Sequence, residues 1–175
     1  MVVQFRVYHF LILYVIVTTA LLTANHSRVH GSWFVQQSAL AFFCSLNFLI
    51  CLWEIALGWH IDLIKTNSDK LKKQFKTNVL GACIDFFLLE LELSNILSGR
   101  FWSRVWSTYS LYDPSYANKE SFGFFVDVGN GWTTIIPTIL FCFAMTYHDL
   151  FSPRWIGRQK TFKVTCTMVF LISYC

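Results

Sequence analysis

Charge is what this chain has least of. Only 14% of its 175 residues are Asp, Glu, Lys or Arg, against roughly 25% in ordinary soluble domains. A soluble domain that is 55% hydrophobic would expose apolar patches large enough to drive aggregation. A bilayer removes that difficulty, since lipid-facing positions can be apolar, and composition places the chain in the membrane class. Metal-ligand spacing is also missing. The six cysteines (Cys44, Cys51, Cys83, Cys142, Cys166, Cys175) include no CxxC and no Cys/His grouping. Each lies in an apolar run, as thiols that pack as small apolar groups do, so neither a disulfide framework nor a metal site is expected. There is no phosphate-binding loop, because Gly129-Asn130-Gly131 has no strand before it. No histidine pairs with a Ser or Cys at catalytic spacing, and no cofactor is expected. The formal net charge of +4 falls in short clusters beside apolar runs. There it sets topology and does not mark a nucleic-acid surface.

Long apolar runs, rich in Phe and Trp, are what is present. A crossing helix takes about 20 mostly apolar residues. The first run, 7–24, follows Arg6 and precedes Asn25-His26-Ser27-Arg28. A signal peptide cut after Ala24 is its rival reading, and the large Leu22 counts against that. The second run, 38–64, ends in Lys65, Lys70, Lys72, Lys73 and Lys76. The third, 79–97, is apolar except for Asp85, Glu90, Glu92, Ser94 and Asn95. The fourth, 122–147, holds Gly129, Gly131 and Pro137, which membranes tolerate when neighbours satisfy the freed backbone groups. The last, 164–175, is too short to span and reads as a truncated helix. If the third run spans, ten basic residues share the N-terminal side against Arg28, Arg100, Arg104 and Lys119 on the other. If it lies on the surface, the division is nine against five. The spanning arrangement keeps both dense clusters on the cytoplasmic side and is the one expected. It leaves Asn25-His26-Ser27, a glycosylation sequon, outside but close to the helix.

Carboxylates inside such runs carry the functional signal. An Asp at a helix centre costs roughly 2.5–3.5 kcal/mol on insertion scales, so it turns toward a cavity or a partner. Asp85 and Glu92 are seven positions apart and share a helical stripe, with Glu90 pointing elsewhere. Asp127, Thr134 and Thr138 form another stripe, with Asn130 and Gly131 one turn from Asp127. Small and polar residues of this kind also serve simple helix packing. Asp85 and Asp127 from neighbouring helices would make a polar pocket that shares a proton and suits a cationic amine. Glu54, on one face with Asn47, reads either as a third buried acid or as a packing residue.

The stretch Trp106-Ser-Thr-Tyr109, Asp113-Pro114-Ser-Tyr116, Asp127 and Pro137 resembles the EXPERA superfamily. That group includes a sterol Δ8–Δ7 isomerase and the sigma-2 receptor. The resemblance covers roughly residues 76–175 and rests on the spacing of Asp85, Trp106, Asp113 and Asp127. It implies that Asp85 and Asp127 are paired acids lining a sterol or lipophilic-amine pocket. It also implies that Trp106, Tyr109 and Asp113 shape a lumenal loop. The isomerases carry a His one turn before the first acid, where this chain has Gly81, and Glu in place of both Asp.

The expected fold is all-α, a multi-pass transmembrane bundle of about five spans. Its parts are two N-terminal helices with a Lys-rich linker (1–75) and an EXPERA-like unit (76–175). The expected function is binding of a sterol or lipophilic amine in the endoplasmic reticulum membrane, with the N-terminus cytoplasmic. The ligand-binding residues expected are Asp85, Asp127, Trp106, Tyr109, Asp113 and Asn130. Sterol isomerisation and a non-catalytic structural or transport role are the alternatives. The partner class is a membrane lipid or sterol and no nucleic acid, with homodimer formation left open.

Overall fold

A computed structural model describes residues 4–76 and 78–147. Its regular structure is helical: α1 (Val7–His30), α2 (Val35–Trp59), α3 (Ile61–Phe75), α4 (Val79–Leu88), α5 (Leu93–Ile96), α6 (Gly99–Tyr109), α7 (Ser115–Asn118) and α8 (Phe122–Thr146). Among the described residues there is no strand, and one isolated antiparallel bridge pairs Arg6 with Glu90. The class is all-α.

Three helices, α1, α2 and α8, have 24, 25 and 25 residues and are apolar enough to cross a membrane. At 1.5 Å per residue each is about 36 Å long, enough for a hydrocarbon core of roughly 30 Å. They mark an integral membrane protein. Along α1 the exposed Ile12, Leu13, Ile16 and Leu21 suit lipid better than water.

Two of the expected runs break. The second stops as a helix at Trp59, and His60 has non-helical angles (φ −119°, ψ 28°). Ile61 and Ile64, the end of that run, instead open α3, an amphipathic helix whose buried side is Ile61, Ile64 and Ser68. The third run, expected to span, does not form one helix. α4 has 10 residues, about 15 Å of helix, which is half a crossing. The chain then extends at Leu89 (φ −57°, ψ 141°). There the Val7 N–H donates to the Leu89 carbonyl (3.0 Å), and the Leu91 N–H donates to the Phe5 carbonyl (2.8 Å). The physical reason lies at the end of the run, where Glu90 and Glu92 are both exposed and could be buried in lipid only at high cost. Among the described residues three helices are long and apolar enough to cross; the fifth expected run, 164–175, lies outside them.

Among the described residues the chain forms two compact units: 4–14 with 50–132, and 15–49 with 133–147. The first gathers the start of α1, the end of α2, all of α3 to α7 and the start of α8. Val7, Phe86, Leu91, Phe101 and Trp102 form one of its cores. Leu57, Ile61, Ile64, Tyr116 and Phe124 form another. α3 and α6 pack on each other, and both bury serines, with Ser68, Ser103 and Ser107 each 0% exposed. Small side chains allow that close approach. Caps fix the helix starts: Asn78 Oδ1 accepts from the Gly81 N–H (2.9 Å), and Ser98 Oγ accepts from the Phe101 N–H (3.3 Å).

The second unit is held by polar contacts between its helices. Asn47 Nδ2 donates to Thr138 Oγ1 (2.6 Å), and Thr19 Oγ1 donates to Ser45 Oγ (3.3 Å). Asn25, the sequon residue, lies within α1, and its Oδ1 accepts from the Tyr147 hydroxyl (3.2 Å). A helical, hydrogen-bonded Asn is a poor glycosylation acceptor, whichever side it faces.

Candidate functional site

The first unit brings Asp127 together with two residues that the sequence did not assign to it as partners, Tyr116 and Glu54. Asp127 lies five residues into α8, and Glu54 lies five residues before the end of α2. Each is about 7.5 Å of helix from its end. Glu54 is buried and within electrostatic reach of Asp127. Glycine makes the approach possible. A Cβ on Gly131, one turn beyond Asp127, would sit 2.8 Å from both Glu54 Cβ and the Ile55 nitrogen. On the same pair of helices, a Cβ on Gly58 would come within 3.0 Å of Val128.

Tyr116 caps this pair from α7. Its hydroxyl donates to Asp127 Oδ2 at 2.7 Å. Gly123 leaves room for that hydroxyl, because a Cβ there would fall 2.8 Å from it. The Tyr116 ring is stacked on Trp106 (centroids 5.5 Å apart, planes 7° apart) and meets Tyr109 edge-on at 4.9 Å. Burial, and next the bond to the Asp127 carboxylate, push the Tyr116 phenol above its ordinary pKa. Burial and then the Asp113 charge raise that of Tyr109. Both phenols therefore stay neutral donors through the physiological range. Trp106 is pinned in turn: its Nε1–H donates to the Trp53 carbonyl at 2.6 Å. These residues place α6 and α7 over the ends of α2 and α8.

No family model, curated protein or solved structure matches the chain.

The remaining expected site residues are placed differently. Asp113 accepts from the Ser115 N–H (3.0 Å) and the Ser115 hydroxyl (2.5 Å), so it closes the turn that starts α7. Asn130 is half-buried on α8. Asp85 is exposed on α4 and lines a groove with Lys70 and Arg104. The two acids expected to pair thus have different neighbours: Asp127 has Tyr116 and Glu54, and Asp85 has two cations. The sequence signals that could have found the observed grouping were Glu54, an acid inside the most apolar stretch of α2, and Gly131 beside Asp127. Tyr116 was part of the family motif, but nothing joined it to Asp127, because the turn at Lys119 (φ 61°) separates it from α8.

Chemically, two carboxyl groups on facing helices in a low-dielectric setting favour a cation beside them or a shared proton. Aromatic faces next to them add attraction for an ammonium group.

Proposed function

We propose that this chain is an integral membrane protein that binds the cationic head of a lipophilic amine or sterol-like ligand at Glu54 and Asp127. The ligand's apolar body would lie along the crossing helices. The observation that carries this reading is the facing pair Glu54 and Asp127, with Tyr116 bonded to one of them and backed by Trp106 and Tyr109. An arriving ammonium would take the Tyr116 place on Asp127 and lie against the aromatic faces. The EXPERA likeness supports the same ligand class through Trp106, Tyr109 and Asp127. It supplies Asp85 as the second acid, and Glu54 takes that part here.

Charge orients the proposal. Arg6, Lys65, Lys70, Lys72, Lys73, Lys76, Arg100, Arg104 and Lys119 belong to the first unit, and among the described residues only Arg28 belongs to the second. By the positive-inside rule the N-terminus and α3 to α7 face the cytoplasm, and the endoplasmic reticulum is the membrane proposed. Residues 98–121 then lie on the N-terminal side, where the likeness had them lumenal. The isomerase alternative needs a proton-transfer partner beside Asp85, and among the described residues the groove around Asp85 is lined by no histidine.

A purely structural role is the second reading, favoured by the tight glycine contact at Gly131. Equilibrium binding of a labelled tertiary-amine sterol mimic to the purified chain separates the two. Saturable binding should fall about tenfold or more in both Asp127→Asn and Glu54→Gln, as expected for losing a charged hydrogen-bond partner. If Asp127→Asn binds the mimic as tightly as the wild type, the binding proposal fails.

A further inference from the structure

A second set of ionisable side chains lies outside the Glu54–Asp127 site. α3, α4 and α6 wall a half-open groove with a volume of about 190 Å³, far above the roughly 10–15 Å³ that holds one water. Lys70 and Gln74 come from α3, Asp85 from α4, and Arg104 and Thr108 from α6, with Phe86 as an apolar wall. α6 serves both regions. Arg104 and Thr108 occupy one face, while Trp106 and Tyr109, about 100–160° away at 100° per residue, lie off it. Lys70, Asp85 and Arg104 are all exposed. Among the described residues no ion pair joins either cation to Asp85, so opposite charges line one groove without direct contact.

Their arrangement defines a ligand. An Arg guanidinium holds a phosphate through two parallel N–H···O bonds, and a Lys adds a compact point charge. A carboxylate on the facing helix suits an ammonium group. Together the three charges fit a phosphate and an ammonium carried on one small molecule. The site lies near the membrane surface, because α3 begins one residue after His60 ends the α2 crossing. The exposed Trp59, in edge contact with Trp132 at 5.2 Å, marks the headgroup level where Trp concentrates.

We propose that this groove binds a phosphate joined to an ammonium by a short linker, with Arg104 and Lys70 on the phosphate and Asp85 on the ammonium. Phosphoethanolamine has this chemistry, whether as a phospholipid headgroup or as a free soluble compound. The proposal does not depend on ligand binding at Glu54 and Asp127.

The test uses the full chain purified in a maltoside detergent, which contains no phosphate. Calorimetric titration with phosphoethanolamine, ethyl phosphate and ethanolamine should show phosphoethanolamine bound best. Arg104→Gln should weaken it about tenfold or more. Asp85→Asn should erase the preference for phosphoethanolamine over ethyl phosphate while leaving phosphate binding intact. Lys70→Gln, on another helix, provides a second phosphate-side variant if Arg104→Gln unfolds. Native mass spectrometry with phosphatidylethanolamine and phosphatidylglycerol then separates the sources. Selective retention of the ethanolamine lipid supports a headgroup site, and phosphoethanolamine binding without lipid selectivity supports a soluble ligand. The proposal is overturned if neither phosphoethanolamine nor the ethanolamine lipid binds. It is equally overturned if binding is unchanged in Arg104→Gln and Asp85→Asn, or if ethyl phosphate competes equally in the wild type.

Discussion

α4 and α8 both start as apolar runs that carry one aspartate, yet α8 continues for 25 residues and α4 stops after 10. The helix-breaking residues are on the longer one. α8 runs through Gly129, Gly131 and Pro137, and α4 holds only Gly81. What separates them is partners. Asp127 is met by the Tyr116 hydroxyl, and Gly131 is met by Glu54. Past α4 come Glu90 and Glu92, exposed, and the backbone at 89–91 bonds to Phe5 and Val7 in place of a next helical turn. A polar residue is tolerated in a crossing helix when another element supplies its partner. Without one, the helix ends at the surface.

The largest expected effect comes from removing the partner that glycine admits. Gly131→Val should cost about 3 kcal/mol of stability, because its Cβ would strike the α2 backbone and the chain would have to overpack. Gly129, whose Cβ position meets nothing within 4 Å, should tolerate Ala with a change within about 0.5 kcal/mol. Thermal unfolding of both variants in detergent checks the contrast, and equal effects would contradict the α2–α8 contact.

Next in size is the cap on Asp127. Tyr116→Phe should lose about 1 kcal/mol. It should also change the alkaline limb of the stability profile. The folded phenol titrates above the unfolded value of about 10. Its stabilisation is therefore complete below pH about 10 and is lost as pH rises toward the folded pKa. Melting temperatures from pH 9 to 11 should fall more steeply for the wild type than for Tyr116→Phe. Parallel curves would mean that the hydroxyl contributes nothing there. The smallest effect is expected at the surface acid: Asp85→Asn should change stability by less than about 0.5 kcal/mol. A loss as large as that of Tyr116→Phe would show that Asp85 is buried after all.

Much of the architecture was legible from hydropathy. The runs 7–24 and 122–147 correspond to α1 and α8, and 38–64 supplies α2 with the first turn of α3. Their limits were not legible. Nothing in Gly58-Trp59-His60-Ile61 announces a stop, since none of these residues is a strong breaker in this context. The break in the third run was not legible because its first ten residues are as apolar as a crossing helix, and Glu90 and Glu92 come only at its end. Packing between α3 and α6 was hidden as well, because Ser68, Ser103 and Ser107 read as surface residues and prove to be fully buried. Of the candidate site, Asp127, Trp106 and Tyr109 were named from the sequence, and all three adjoin Tyr116. Their link through Tyr116 depends on how residues 119–121 turn, which no periodicity encodes.

The most direct measurement is the sidedness of positions flanking the broken run. Lys73 and Leu97 are both exposed, and each can be replaced by Cys in a chain whose native cysteines are removed. A membrane-impermeant maleimide applied to sealed vesicles should label Lys73→Cys and Leu97→Cys from the same face. Labelling from opposite faces would mean that residues 79–97 cross the bilayer, and the reading of α4 as half a crossing would be wrong.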